Sequence, residues 1–142
     1  MKRVIVLDTN VISELMSPQA SPTVRAWVAG QRATNTLCIT AITVAEILYG
    51  VELLPKGKRR DSLLLDAEAM FREDFASHIL VFDEHAARAF STIAAARRGR
   101  GRPITTLDAQ IVAIALANGA TLATRNTADF QGCGVRLINP WE

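Results

Sequence analysis

The sequence predicts an α/β fold, a three-layer α/β/α sandwich around a mostly parallel central sheet. Three observations carry that reading. Short apolar runs, beginning with Val4-Ile5-Val6-Leu7, are rich in β-branched residues and read as buried strands. Stretches of helical spacing separate them, which implies right-handed crossovers and a sheet covered on both faces. The stretch Ala109-Gln110-Ile111-Val112-Ala113-Ile114-Ala115 is apolar and small enough to lie directly on such a sheet.

Each element has its own signals. Residues 3–7 form the first strand and run into Asp8-Thr9-Asn10 and a short helix reaching about residue 16. Ser17-Pro18 stops it, because proline restricts the residue before it. Ser21 as N-cap and Pro22 at the first helical position open a second helix, with Val24, Trp27 and Val28 on one face and an end near Gly30. Residues 36–40 are rich in β-formers and give a second strand. Val44, Ile47, Leu48 and Val51 set helical spacing over 41–54, closed by Pro55-Lys56-Gly57. A long helix over 58–75 carries the stripe Leu63, Leu64, Ala67, Met70 and Phe71. Residues 79–82 make a third strand. Asp83-Glu84 then open a helix where the macrodipole favours acids, with Ala87, Phe90, Ile93 and Ala94 on its buried face, and it dissolves into the basic segment 97–103. Thr105 or Thr106 caps a helix over 107–118, which Gly119 closes. A fourth strand over 121–124, a turn or single helical turn over 127–130 and a last strand over 135–138 precede Asn139-Pro140-Trp141.

The 142 residues read as one domain without repeat, linker or low-complexity segment, and 49% hydrophobic residues suffice for a substantial core. Disorder is excluded on that ground. No apolar run is long enough to span a bilayer, and Lys2-Arg3 precedes too short a run for a signal peptide, so the expected location is the cytoplasm, away from membranes. Cys38 in a strand and Cys133 in a Gly-Cys-Gly turn, with neither CxxC nor a nearby His, read as free thiols rather than zinc ligands. A net charge of +2 does not announce nucleic acid. Its distribution is uneven, since Arg97, Arg98, Arg100 and Arg102 fall within six residues.

Three acids stand out by context. Asp8 ends the first strand, and ligands of open α/β sheets bind beyond the carboxyl ends of strands; its plainest reading is an Asx-turn or N-cap. Glu46 lies among Val44, Ala45, Ile47 and Leu48, where a carboxylate is costly unless paired. A capping box with Thr43 is its simpler account. Asp108 repeats the puzzle and has the spacing to box with Thr105. Both helices are apolar enough to lie on the sheet, so these acids are expected near strand ends, and one site is the better account than three coincidences. The expectation is that Glu46, Asp108 and one of Asn126 or Asp129 converge on Asp8 to hold a divalent metal. Clustered carboxylates repel one another, and a hard cation resolves the conflict. Oxygen donors without His or Cys favour Mg²⁺ or Mn²⁺ over zinc, and water at such an ion is a nucleophile toward phosphorus. His78 and His85 then need no chemical role.

With Leu7-Asp8-Thr9-Asn10-Val11-Ile12-Ser13-Glu14, Ile42-Thr43-Val44-Ala45-Glu46-Ile47 followed by Gly50, Asp108-Ala109-Gln110-Ile111, and Ala123-Thr124-Arg125-Asn126 with Asp129-Phe130 in that order, the chain resembles PIN-domain ribonucleases, most closely the VapC-type toxins of bacterial toxin–antitoxin pairs. Asn139-Pro140-Trp141 is similar to the ending of one branch of that group. The resemblance spans essentially the whole chain. It implies a PIN-like sandwich and metal-dependent endonucleolytic cleavage of RNA, with Asp8, Glu46 and Asp108 as acidic ligands. Many members carry an aspartate where this chain has Asn126, and others use an acid a few residues later, where Asp129 stands. Thr9 and Asn10 match residues that orient Asp8, and Thr105 or Thr106 a donor to water or ligand. The resemblance also implies a small DNA-binding antitoxin seated in the acidic groove, and a homodimer.

On that footing Arg97, Arg98, Arg100 and Arg102 are candidates to follow an RNA backbone from a flexible loop, against a plain solvated loop. Lys56, Lys58, Arg59 and Arg60 read as a solvated face. The leading function is an Mg²⁺-dependent endoribonuclease toxin. The alternative is a catalytically impaired PIN-like module that binds RNA or a partner, a reading to which Asn126 lends weight. Phosphoryl transfer through an aspartyl intermediate on Asp8 is disfavoured, because Asn10 stands where such enzymes carry a second acid.

Overall fold

The computed structural model describes residues 2–142. Five parallel strands form one sheet in the order β3-β2-β1-β4-β5: β1 (Val4–Leu7), β2 (Thr36–Thr40), β3 (Ile79–Leu80), β4 (Thr121–Ala123) and β5 (Leu137–Ile138). Six helices cover it: α1 (Thr9–Met16), α2 (Pro22–Thr34), α3 (Ala41–Glu52), α4 (Lys58–Ala69), α5 (Glu84–Gly99) and α6 (Thr106–Ala117). This is the expected three-layer α/β/α sandwich.

The central strands serve two cores at once. Ile5 and Leu7 of β1 and Leu37 and Ile39 of β2 face a core shared with Val11, Ile12, Val24, Val28 and Phe75. Val6, Cys38 and Leu122 face the other, built with Ile93, Ile111, Val112 and Ala115. Strands buried on both faces have no polar side to present, which is why they read as unbroken apolar runs. The sheet grows leftward from β1 through β2 to β3, then restarts on the other side with β4. The crevice at the carboxyl ends of β1 and β4 is therefore the topological switch point, where two crossovers diverge and leave an opening.

Several boundaries differ from expectation. α2 does not end near Gly30 but continues to Thr34, closed by the Asn35 backbone N–H on the Gln31 carbonyl at 2.7 Å. The helix foreseen over 58–75 is α4 followed by a π turn, Met70–Asp74, which lets Phe71 and Phe75 both reach the core. β3 and β5 are two residues each. α5 does not dissolve before the basic segment but carries Arg97 and Arg98 in its last turn. Of the second basic cluster, Arg60 is ion-paired with Glu52 at 2.9 Å and not fully solvated. Cys38 and Cys133 are buried free thiols, and no helix among the described residues is long and apolar enough to cross a membrane.

Candidate active site

Asp8 follows β1 and is the N-cap of α1, so the simple capping role is real: its Oδ1 accepts the Thr9 N–H at 2.8 Å. It is also buried, at 5% exposure, in the switch-point crevice. The Thr124 hydroxyl, just past β4, donates to its Oδ2 at 2.8 Å while accepting from Asn10 Nδ2 at 3.3 Å and the Asn126 N–H at 3.1 Å. Asn10 Oδ1 in turn accepts the Arg125 N–H at 3.4 Å. The β1 and β4 ends are thus laced together around one carboxylate.

Glu46 does not form a capping box with Thr43. The N-cap of α3 is Thr40, whose hydroxyl accepts the Thr43 N–H at 3.1 Å, and this places Glu46 in the second turn. Its Oε1 accepts the Thr9 hydroxyl at 2.8 Å. Since that proton is committed, the 3.0 Å Thr9–Thr43 contact has Thr43 as donor, and Thr40 donates to Thr43 at 3.4 Å. Three hydroxyls therefore point in sequence toward the Glu46 carboxylate. Asp108 occupies the first turn of α6, where its N–H donates to the Thr105 hydroxyl at 3.3 Å, so half of the expected capping box exists and Thr105 rather than Thr106 is the cap.

Asp8, Glu46 and Asp108 line one cavity of about 470 Å³, together with Glu14, Asn126, Arg125 and Trp141. Burial pushes the Asp8 carboxyl up to about 6 from 3.8; hydrogen bonds from Thr124 and Thr9 oppose the rise, and the charges of Asp108 and Glu46 add to it. Asp108 is raised as well, by burial first, with the Thr105 hydrogen bond opposing and the Asp129 charge adding. Asp8 thus feels groups from distant parts of the chain, Thr124 lying 116 positions away in sequence.

The remaining candidates divide. Asn126 lines the acidic cavity, whereas Asp129 lies on the 3₁₀ turn Thr127–Phe130 and faces a smaller adjoining hollow of about 160 Å³ with Arg97, Thr105 and Asp108. Arg97 is corrected from a loop residue to a structural one. It is 5% exposed, and its guanidinium donates to the carbonyls of Arg102 at 2.8 Å, Asp129 at 2.7 Å and Gln131 at 3.4 Å, and to the Cys133 sulfur at 3.4 Å. A charge spent on four internal acceptors is not offered to a ligand. Arg98, Arg100 and Arg102 are exposed, although the Arg100 guanidinium lies so close over Gly132 that a Cβ there would meet it at 2.6 Å.

The donor set suits a hydrated hard cation. Among the described residues no three His, Cys, Asp or Glu side chains form a closed ligand cluster. Mg²⁺ needs only one or two carboxylates and keeps its waters, and the cavity has room for them. Sequence reasoning missed Thr124, Glu14, Arg125 and Trp141. Glu14, Thr124 and Arg125 lay within the segments that carry the resemblance but had no role assigned, and nothing marked Trp141 beyond its place in the ending.

A PIN domain model matches residues 5–131. The plasmid stability protein StbB of Pseudomonas syringae pv. tomato is 45% identical, over 97% of this chain and 99% of that protein. The VapC ribonuclease Y4jK of Sinorhizobium fredii is 41% identical, over 97% and 98% respectively. The toxin FitB of Neisseria gonorrhoeae is 39% identical over 96% and 98%. The crystal structure of FitAcB from the same organism superposes with a TM-score of 0.87 at 38% identity, covering 97% of this chain and 99% of that one. Fold, acidic crevice and likeness along nearly the whole length agree, and the chain belongs to the PIN-domain family, in its VapC-type branch.

Proposed function

We propose that this protein is an endoribonuclease dependent on Mg²⁺ or Mn²⁺, the toxic half of a toxin–antitoxin pair, acting in the cytoplasm as a homodimer when released from a small DNA-binding antitoxin. The observation that carries this reading is the gathering of Asp8, Glu46 and Asp108 around one cavity at the switch point. The relatives named VapC ribonuclease and toxin FitB support the substrate class and the pairing with an antitoxin.

Asp8, Asp108 and Glu46 would hold the cation, with Asn126 at the rim. When bound, such an ion supplies charge stabilisation at phosphorus and lowers the pKa of coordinated water. The chain's own residues do the positioning. Thr124 and the Thr9 N–H keep Asp8 aimed into the cavity, and the Thr40-Thr43-Thr9 hydroxyl series, all donors toward Glu46, orients its side chain. Raised Asp8 and Asp108 carboxyls hold protons more tightly than ordinary acids in the free protein, so cation binding is expected to release protons and to strengthen as pH rises.

The test is cleavage of RNA by purified protein with Mg²⁺, with Mn²⁺ and with chelator, alongside Asp8→Asn and Asp108→Asn. Cleavage only with the metals, and abolished in both folded variants, is the expected result; wild-type rates from either variant would refute the assignment. Asn126, a neutral residue among the acids, favours the second reading of an impaired binding module. Titration with Mn²⁺ separates the two, since neither binding nor cleavage would favour the module.

A further inference from the structure

We infer that Arg125, seated on the Trp141 ring, receives a backbone phosphate of the RNA at the edge of the acidic cavity. The inference rests on the nuclease reading above. The Arg125 guanidinium carbon lies 5.0 Å from the Trp141 ring centroid, and both residues line the cavity that holds Asp8, Glu46 and Asp108. Among the described residues of that lining, Arg125 is the one basic side chain. It nevertheless makes no ion pair: the salt bridges among the described residues join Arg60 to Glu52, Arg72 to Glu68 and Arg88 to Glu84, all elsewhere.

Arg125 shares this lining with the carboxylates yet pairs with none of them, and its guanidinium lies on the Trp141 ring instead. The Asn139 side chain bridges the two halves of the stack, its Nδ2 donating to the Arg125 carbonyl at 3.5 Å and its Oδ1 accepting the Trp141 N–H at 2.9 Å. Pro140, next to Trp141, is buried, and Trp141 itself packs against the core that includes Val11 and Ile12. On the other side the Arg125 N–H is tied to Asn10, two residues from Asp8. The backbone on both sides of the stack is thus tied down, and the exposed guanidinium lies over the indole with its N–H groups free of internal carboxylates.

Electrostatics supplies the use. An RNA phosphate approaching this crevice meets concentrated negative charge, and an unneutralised planar guanidinium at the rim offers it a paired set of charge-assisted hydrogen bonds. Lysine would offer a point charge without the stack. The competing account is that Arg125 only braces the C-terminal tryptophan.

The experiment measures binding of a short fluorescent single-stranded RNA of mixed sequence to the Asp8→Asn protein over a range of salt concentrations, with Arg125→Gln and Arg125→Lys added, and records the melting temperature of each. Arg125→Gln is expected to weaken binding about tenfold and to flatten the log Kd against log salt slope by about 0.7, the increment for one phosphate on a single strand. Arg125→Lys is expected to keep the slope while losing the stack. An unchanged slope in Arg125→Gln, or equal losses of binding in Gln and Lys that track equal losses of melting temperature, would reduce Arg125 to a brace. If the protein with Arg125 intact binds no RNA at any salt, the nuclease reading falls and takes this role with it; if it binds RNA and Arg125→Gln changes nothing, only this role falls.

Discussion

Replacing Asp8 by asparagine should make the metal-free protein more stable at neutral pH while removing its activity. Asp8 is 5% exposed, and its carboxyl stands at about 6 where an unfolded chain has 3.8. Between those values the folded state binds more protons than the unfolded one, so this group's contribution is fully present below about pH 4 and is lost as pH rises through 6. A difference of about two pH units corresponds to a deficit of about 3 kcal/mol at pH 8 as an upper bound. Asparagine has no charge to desolvate. It keeps one oxygen for the Thr9 N–H or the Thr124 hydroxyl but not both, which returns about 1 kcal/mol per hydrogen bond lost. The net expectation is a gain of about 1–2 kcal/mol for Asp8→Asn at pH 8, shrinking to zero or reversing near pH 4. Urea denaturation of both proteins at the two pH values, with chelator present, measures it, and taking the difference cancels every other titrating group. Mg²⁺ should then raise the wild type by RT ln(1 + [Mg²⁺]/Kd), about 2.7 kcal/mol at a hundredfold excess over Kd, and leave the variant unmoved. A variant less stable than wild type at pH 8, or a gap that does not depend on pH, would refute the claim that Asp8 is held charged against its burial.

Thr124→Val removes the buried hydroxyl that opposes the rise of Asp8. It should cost about 1–3 kcal/mol at pH 8 and less at pH 4, so the pH dependence of stability steepens; parallel curves for variant and wild type would count against it. Arg97→Met strands the carbonyls of Arg102, Asp129 and Gln131 and should lower stability by about 2–4 kcal/mol, whereas exposed Arg98→Ala should stay within about 0.5 kcal/mol; thermal melts of the pair check the contrast. Asn126→Asp adds a carboxylate to the cavity lining, and should tighten Mn²⁺ binding several-fold while lowering metal-free stability at pH 8. Calorimetric titration showing unchanged affinity would mean that residue 126 lies outside the cation's reach.

What the sequence made legible was periodic or positional, and what it hid depended on distant partners. Apolar runs and cap residues such as Ser21-Pro22, Asp83 and Thr105 are local signals, and each opens the helix it marks. Gly30 misled because glycine inside a helix costs only about 1 kcal/mol relative to alanine, too little to end this one; the close is made instead by Asn35, whose Nδ2 also bonds Gln31 Oε1 at 2.8 Å. Glu46 was legible as anomalous, since no local partner relieved a carboxylate among apolar neighbours. Its hydrogen-bond donor, Thr9, lies 37 residues away and is visible only in three dimensions. Arg97 failed for the opposite reason. Its context of arginine and glycine has the composition of a solvated loop, while all but one of its acceptors come from the segment 32 to 36 residues later.

The same hydroxyls that were invisible in sequence explain how such a crevice can fold at all. A site whose carboxylates relied wholly on a cation for compensation would couple folding to the metal, as small structural zinc sites do. Here each acid has a neutral donor from its own neighbourhood: Thr124 and the Thr9 N–H for Asp8, the Thr9 hydroxyl for Glu46, Thr105 for Asp108. Those bonds offset part of the desolvation and repulsion without removing the charge, so Asp8 remains raised rather than relaxed. Arg125 lines the same cavity, but its guanidinium lies on the Trp141 ring and pairs with none of the acids. The chain thus folds with Asp8 and Asp108 restrained but raised, and a cation of the kind proposed would relieve that unfavourable energy on binding.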